Sequence, residues 1–112
     1  MIKRFYRSIS DKEIDYNQAE RILRETNGVL LDVRGHKEYN EEHLVNAINI
    51  DLYNLEKEIQ TVIPNKKTTI VAYCSCGIRS KQAQLILEKL GYYNVYTIKG
   101  GMYCRFCKFN NK

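Results

Sequence analysis

A cysteine, a glycine and an arginine lie within six residues in the stretch "YCSCGIRSKQAQLILEKLGY" (73–92). Cys74 ends an apolar run, and helical spacing begins near Ser80. The first turn of a helix has unpaired N–H groups and a partial positive charge, which lower the pKa of a thiol placed there. Gly77 allows the loop to curl around an anion, and Arg79 adds a planar set of donors. This pattern predicts an activated sulfur nucleophile.

Cys74 has a second interpretation, because free cysteine is commonly buried as a small apolar side chain. The order cysteine, glycine, arginine and serine at a strand–loop–helix junction favours the catalytic interpretation, since it supplies the structural context that such a motif needs. We therefore predict that Cys74 is the catalytic residue. The predicted substrate-binding residues are Ser75, Cys76, Gly77, Ile78, Arg79 and Ser80.

Apolar runs and amphipathic segments alternate along the chain. The apolar runs that we predict as strands are residues 29–33, 47–50, 68–73 and 94–98. The alternation predicts an α/β fold with a parallel β-sheet of about five strands and helices on both faces. Ligands of such sheets bind outside the carboxyl ends of the strands, which is where Cys74 lies. The 112 residues are expected to form one domain, with a core of about 8–103 and a short cysteine-containing tail.

Helical segments are predicted between the strands. Asn17 and Glu20 form a capping-box pattern at the start of the first helix, and Gly28 is placed to end it. Residues 38–44 predict a short helical turn, and residues 54–63 predict a helix whose apolar residues recur every four positions.

The composition is typical of a globular domain, with 44% hydrophobic and 28% charged residues. The net charge of +5 favours anionic partners. The basic residues are scattered, so we expect small anions and no nucleic acid. No stretch has the length of a signal-peptide core or of a membrane span, so a cytoplasmic location without membrane attachment is expected. Cytosolic cysteines stay reduced and are more often catalytic or metal-binding than disulfide-bonded.

Three motifs follow one another along the chain: "LLDVRGHKEYNEEHLVNAINI" (30–50), "YCSCGIRS" (73–80) and "GYYNVYTIKGG" (91–101). The first has an aspartate-valine-arginine strand, a glutamate–aromatic pair and a histidine. The second is the cysteine loop with its arginine-serine pair, and the third is a closing strand with a double glycine. Together they resemble the rhodanese family of single-domain sulfurtransferases, and the resemblance implies a rhodanese-like fold.

The resemblance also implies a persulfide mechanism. The Cys74 thiolate attacks the outer sulfur of a small anionic donor, which is thiosulfate, a persulfide or a polysulfide; thiosulfate releases sulfite. A thiol or protein acceptor then removes the sulfur from the Cys74 persulfide. The N–H groups of residues 75–80 stabilise the persulfide, and Arg79 steers the sulfonate end of the donor. The mechanism needs no metal or organic cofactor.

Residues of the first motif are expected to support the site. We interpret Asp32 and Arg34 as a structural ion pair beside it, with a direct catalytic role as the less favoured alternative. Glu38 is a candidate salt-bridge partner of Arg34, and His43 is expected to anchor its loop by hydrogen bonds. Glu42 stands where the family usually has glycine before the histidine, so this turn is expected to differ.

The other cysteines have several interpretations. Cys76 is either a resolving thiol for the Cys74 persulfide or a residue of which only the backbone N–H matters. Cys104 and Cys107 form a C-x-x-C pair, which would act as a relay or redox dithiol, join the loop cysteines around zinc, or simply pack. Zinc is disfavoured because it would consume the nucleophile and lie near the positive Arg79. We predict no metal site.

One aromatic position also departs from the family. The chain has no tryptophan, although the family commonly has one after the double glycine. Tyr103 or Phe106 is expected to pack in its place.

Two other functions remain open from the sequence. Cysteine phosphatases and arsenate reductases resemble this fold, but their loops have five residues between cysteine and arginine. Here the four residues "SCGI" separate Cys74 from Arg79, which favours transfer of a single sulfur. The other alternative is a non-catalytic or thiol-redox-sensing rhodanese-like binding module. Such modules usually lose the loop cysteine, whereas this chain retains it.

Overall fold

The computed structural model describes residues 12–103 and 109–111. Its strands are β1 (Glu13–Ile14), β2 (Val29–Asp32), β3 (Glu42–Leu44), β4 (Ile48–Asn49), β5 (Ile70–Tyr73), β6 (Val95–Ile98) and β7 (Phe109–Asn111). Its α-helices are α1 (Tyr16–Thr26), α2 (His36–Glu41), α3 (Leu55–Val62) and α4 (Ile78–Lys89). Two short 3-10 turns cover Leu52–Asn54 and Gly101–Tyr103. In the part of the chain so described, no helix combines the length and apolarity that a membrane span requires.

The main sheet has five strands in the order β1-β6-β5-β2-β4, and every pairing in it is parallel. This confirms the predicted parallel sheet. The pairing of β2 with β5 places Asp32 opposite Tyr73, so the two strands end at the same edge. The sequence did not predict β1, because a strand of two residues is too short to show a periodic pattern.

Helices cover both faces of the sheet, as predicted. On one face the strand residues Leu31, Ile70 and Val95 pack with apolar side chains of α3 and α4. On the other face Leu30 and Val71 pack with α1. Neighbouring residues of β2 and β5 are thus buried on opposite faces, which explains why these strands are apolar throughout.

The first helix begins earlier than its predicted capping box. Asp15 is the N-cap of α1: its carboxylate accepts from Gln18 N at 2.7 Å, and Gln18 Oε1 accepts from Asp15 N at 3.0 Å. The pair Asn17 and Glu20 therefore lies inside the helix, and its assignment as the capping box is wrong. Asp15 and Gln18 have the same three-residue spacing as Asn17 and Glu20, and Asp and Asn cap helices equally well, so the local pattern does not distinguish the two pairs.

The same helix ends one residue before the predicted stop. Asn27 adopts the left-handed conformation with φ of 54°, so it ends α1 in place of Gly28. The role of Gly28 is close approach, because a Cβ there would lie 2.9 Å from Thr69 O.

The segment predicted as one helical turn divides into two elements. Helix α2 ends at Glu41, and residues 42–44 form β3, which pairs antiparallel with β7. A strand of three residues that pairs with a distant segment is fixed by that tertiary contact, which periodicity within 38–44 does not reveal.

Candidate active site

The Cys74 thiol lies at the carboxyl end of β5 and is 1% exposed. Its Sγ accepts hydrogen bonds from Gly77 N at 3.0 Å and from Ser80 N at 3.3 Å. The hydroxyl Oγ of Ser80 lies 3.7 Å from the same sulfur and donates to Gly77 O at 3.1 Å. The loop that the sequence predicted to bind substrate therefore surrounds the sulfur atom of the predicted nucleophile.

Helix α4 begins at Ile78, two residues before the predicted start. This earlier start places the N–H group of Ser80 where it can donate to Cys74 Sγ. Gly77 is the N-cap residue with φ of 105°, a conformation that a residue with a Cβ rarely adopts. Ser80 then belongs to the first helical turn, in which backbone N–H groups have no partner within the helix. Cys74 Sγ supplies one of these N–H groups with an acceptor. The positive end of the helix therefore points at the thiol.

The environment favours the thiolate form of Cys74. Burial raises the pKa of this thiol, but hydrogen bonds from Ser80, Gly77 and the backbone N–H of Cys76 together outweigh burial. The net result is a pKa below the ordinary value of a cysteine. An anionic sulfur held this way is a strong nucleophile.

Arg79 pairs with Glu38 across the opening of the loop. Its Nη1 donates to Glu38 Oε1 at 2.8 Å and its Nη2 to Glu38 Oε2 at 3.1 Å. The predicted pair between Arg34 and Glu38 is therefore wrong, because α2 directs the Glu38 carboxylate toward α4. The hydrogen bond from Arg79 is the largest cause that lowers the pKa of Glu38 to about 2. Since the ordinary value is 4.5, the pair contributes fully to stability above about pH 4.5 and is lost as the pH falls toward 2.

Arg34 pairs with Asp32, as the sequence predicted. Their side chains are 2% and 0% exposed, and Arg34 Nη2 donates to Asp32 Oδ2 at 2.7 Å. The hydroxyl of Tyr73 also donates to Asp32 Oδ2 at 2.7 Å, and Leu44 N donates to the Tyr73 hydroxyl oxygen at 3.0 Å. The same Nη2 of Arg34 donates to Glu42 O at 2.7 Å. This bond holds the turn before His43, in which Glu42 replaces the glycine that the family usually has. This network ties β2, β3 and β5 together directly behind Cys74.

We expect Tyr73→Phe to lower the free energy of unfolding by about 1–3 kcal/mol, because it leaves the buried Leu44 N–H without an acceptor and removes one hydrogen bond from the buried Asp32 carboxylate. Urea unfolding measures this loss. Tyr53→Phe removes the same hydroxyl from a side chain that is 95% exposed, and is expected to leave the midpoint unchanged. Equal midpoints for the two variants would contradict a stabilising role for the network.

His43 anchors the segment between α2 and β3. The ring is 5% exposed, stacks on Tyr39 with centroids 3.7 Å apart, and its Nδ1 lies 2.8 Å from Tyr39 O. The predicted hydrogen-bond role of His43 is confirmed, and the ring holds its own turn of the chain.

Gly101 lies close against the Cys74 loop, a contact that our sequence reasoning did not predict. Its φ is 68°, and a Cβ at this position would lie 2.5 Å from Cys74 O and 2.4 Å from Ser75 O. The next residue, Met102, donates its N–H to Cys74 O at 2.7 Å. The turn after β6 therefore packs against the Cys74 loop and supports it. The double glycine was visible in the sequence, but the sequence did not reveal that Gly101 contacts the Cys74 loop.

The remaining predicted residues lie around the opening of the loop. Ser75 Oγ accepts from Arg79 Nη2 at 3.3 Å. The Cys76 thiol is exposed, and the Ile78 side chain is 67% exposed. Tyr103 is 63% exposed, so it does not pack in place of a tryptophan; the buried residue after the double glycine is Met102.

Cys104, Cys107 and Phe106 lie outside the described residues, so their predicted roles stay predictions. Among the residues that the structure does describe, no group of three histidine, cysteine or carboxylate side chains is arranged to hold a metal ion.

A groove of about 470 Å³ opens beside Arg79. It is lined by Gly35, Glu38, Asp51, Leu52, Tyr53, Arg79 and Gln82. A second cavity, of about 410 Å³, runs along α1 and includes no residue of the Cys74 loop. Of the residues of the Cys74 loop, Arg79 lines the first groove, and Cys74 itself lines neither.

Known proteins resemble this chain in both sequence and fold. Residues 15–103 match the family described as Rhodanese-like domain. The thiosulfate sulfurtransferase PspE of Escherichia coli (strain K12) is 40% identical over 70 residues, which cover 62% of this chain and 67% of PspE. A tRNA uridine(34) hydroxylase of Buchnera aphidicola is 33% identical over 80% of this chain, but the chain spans only 31% of that protein.

A solved structure described as rhodanese with anions, from E. coli, superposes with a TM-score of 0.68 at 34% identity. The match covers 76% of this chain and 99% of that one. Most of the chain, including the Cys74 loop and the turn that supports it, lies within the family match. The chain belongs to the rhodanese-like domain family.

Proposed function

We propose that this chain is a rhodanese-type thiosulfate sulfurtransferase that carries sulfane sulfur as a persulfide on Cys74. The observation that supports it most is the Sγ of Cys74, buried and held by N–H groups of Gly77 and Ser80 at a helix N-terminus. Similarity to PspE, a thiosulfate sulfurtransferase, supports the same reaction.

The first half-reaction loads the sulfur. The Cys74 thiolate attacks the outer sulfur of thiosulfate, a new S–S bond forms at Sγ, and the bond inside thiosulfate breaks so that sulfite leaves with the electron pair. The negative charge then lies on the outer sulfur of Cys74–S–S⁻. The N–H groups of Gly77 and Ser80, which donate to Cys74 Sγ, keep the positive end of the helix beside this charge, and they are fixed in place before the reaction begins. Arg79, at the edge of the loop, faces the end of the donor that departs.

The second half-reaction unloads the sulfur. A thiolate acceptor attacks the outer sulfur of the Cys74 persulfide, and Cys74 leaves as a thiolate. The low pKa of Cys74 makes it a good leaving group as well as a nucleophile. In this proposal the acceptor is a small thiol or a protein thiol, and the cytoplasm is the compartment, since a reducing environment keeps Cys74 available.

Intact mass spectrometry of the reduced protein tests the proposal. With thiosulfate we expect a gain of one sulfur atom, and with cyanide we expect that gain to disappear as thiocyanate forms. No gain with thiosulfate, a persulfide or polysulfide would contradict sulfur transfer. Phosphate release from an aryl phosphate would favour a phosphatase instead, and loss of two hydrogens on mild oxidation without turnover would favour a thiol sensor.

A further inference from the structure

Both terminal nitrogens of Arg79 already have hydrogen-bond acceptors before any substrate arrives. Both terminal nitrogens of its guanidinium donate to Glu38, at 2.8 and 3.1 Å, and Nη2 also donates to Ser75 Oγ at 3.3 Å. A sulfonate group that bound Arg79 in the same two-pronged way would need these same N–H groups. Thiosulfate and Glu38 therefore compete for one guanidinium.

Glu38 is itself held from behind. Gly35 N donates to Glu38 Oε1 at 2.9 Å, so the carboxylate is fixed at the start of α2 and does not follow Arg79 freely. It stays ionised throughout the neutral range, since its pKa is lowered to about 2. The pair carries no net charge. The fixed carboxylate of Glu38 therefore offsets the positive charge with which Arg79 would attract an incoming anion.

The side chains are 37% and 39% exposed, which places the pair at the entrance to the loop and not inside the core. The pKa of Arg79 is raised chiefly by its hydrogen bond to Glu38 and also by the charge of the Cys74 sulfur, so Arg79 and Cys74 interact electrostatically. A change in Glu38 therefore alters both the attraction of an anionic donor and the field at the nucleophile, while the N–H groups at Cys74 Sγ stay in place.

We infer that Glu38 is a positioning and specificity-determining residue: it holds Arg79 across the loop and reduces the preference of the enzyme for doubly charged sulfur donors. The inference rests on the proposed sulfurtransferase function. Its consequence is a site that accepts donors of lower charge, such as persulfides, almost as well as thiosulfate. Arg79 is then a shared group, released from Glu38 only in part when a sulfonate binds.

Two donors that differ by one charge test this role in the full chain. Thiosulfate is a dianion, and methanethiosulfonate (CH₃SO₂S⁻) is a monoanion. With either donor, Cys74 Sγ bonds to the outer sulfur, the bond to the sulfonyl sulfur breaks, and sulfite or methanesulfinate leaves with the electron pair. In Glu38→Gln the amide oxygen still accepts from Gly35 N, but the negative charge is gone.

We expect Glu38→Gln to lower the KM for thiosulfate about three- to fivefold at low salt, with kcat changed less than twofold. The KM for methanethiosulfonate is expected to fall less than twofold, and the difference between donors to shrink at high salt because the charges are screened. Glu25→Gln is the matched control. It removes the same charge from the end of α1, at the amino edge of the sheet, and should change neither KM.

Equal losses of activity for both donors in Glu38→Gln would show a structural role alone, and unchanged KM values would overturn the competition. A second readout does not need sulfur transfer: the rate of alkylation of Cys74 by neutral iodoacetamide against pH. The inflection should move to lower pH in Glu38→Gln and not in Glu25→Gln. If the wild type transfers no sulfur from either donor, the proposed function fails, and this alkylation profile still decides whether Glu38 offsets the charge of Arg79.

Discussion

Cys74→Ser is expected to lose all sulfur loading and to reduce sulfur transfer at least about 10⁴-fold, the scale seen when an enzyme loses its nucleophile. The hydroxyl of serine ionises far less readily than a thiol, so the N–H groups of Gly77 and Ser80 have no anion to stabilise. The side chain is nearly the same size, and the buried position accepts it without a cavity. Intact mass after incubation with thiosulfate measures the loss.

Cys76→Ser provides the matched control, since it makes the same substitution two residues away on the same loop. Its thiol is exposed, whereas that of Cys74 is buried. We expect Cys76→Ser to gain and release one sulfur like the wild type, because its backbone N–H remains in place. Sulfur loading that survives Cys74→Ser but not Cys76→Ser would move the nucleophile to Cys76 and overturn the proposed mechanism.

Gly101→Ala is expected to reduce activity about 100-fold, although residue 101 contacts no reacting atom. A Cβ there would lie 2.4 to 2.5 Å from the carbonyl oxygens of Ser75 and Cys74, distances that a real Cβ does not tolerate. The loop or the turn must move, and the hydrogen bond from Met102 N to Cys74 O moves with it. A displacement of about 1 Å at the nucleophile suffices for a loss of this size.

The stability of Gly101→Ala should also fall, by about 1–2 kcal/mol from the left-handed backbone alone and further from the collision. Gly91→Ala separates these two causes. Gly91 has φ of 103°, but its nearest neighbours are side-chain atoms of Lys66 at 3.7 and 3.9 Å. We expect Gly91→Ala to lose stability and keep kcat, so a Gly101→Ala enzyme with wild-type kcat at a permissive temperature would contradict the supporting role of this turn.

The chemistry of the loop followed from the sequence because it depends on neighbours along the chain. Cys74, Gly77 and Ser80 lie within one strand–turn–helix junction, and helix N-termini have the same unpaired donors in every protein. The parallel sheet was predictable for a related reason, since strands buried on both faces must be apolar throughout. The ion pair of Asp32 with Arg34 was also visible, as two charges at one strand end.

Contacts between distant segments were decided only by the tertiary structure. Arg34 and Arg79 are both chemically suitable partners for Glu38, and the placement of α2 against α4 selects Arg79. Gly101 is separated from Cys74 by a helix and a strand, so nothing local tells that its missing Cβ makes room for the loop. The sequence by itself determined which thiol lies at the helix N-terminus. The packing of distant segments decided what holds Arg79 and what supports the loop, because such contacts depend on where whole elements lie in the fold.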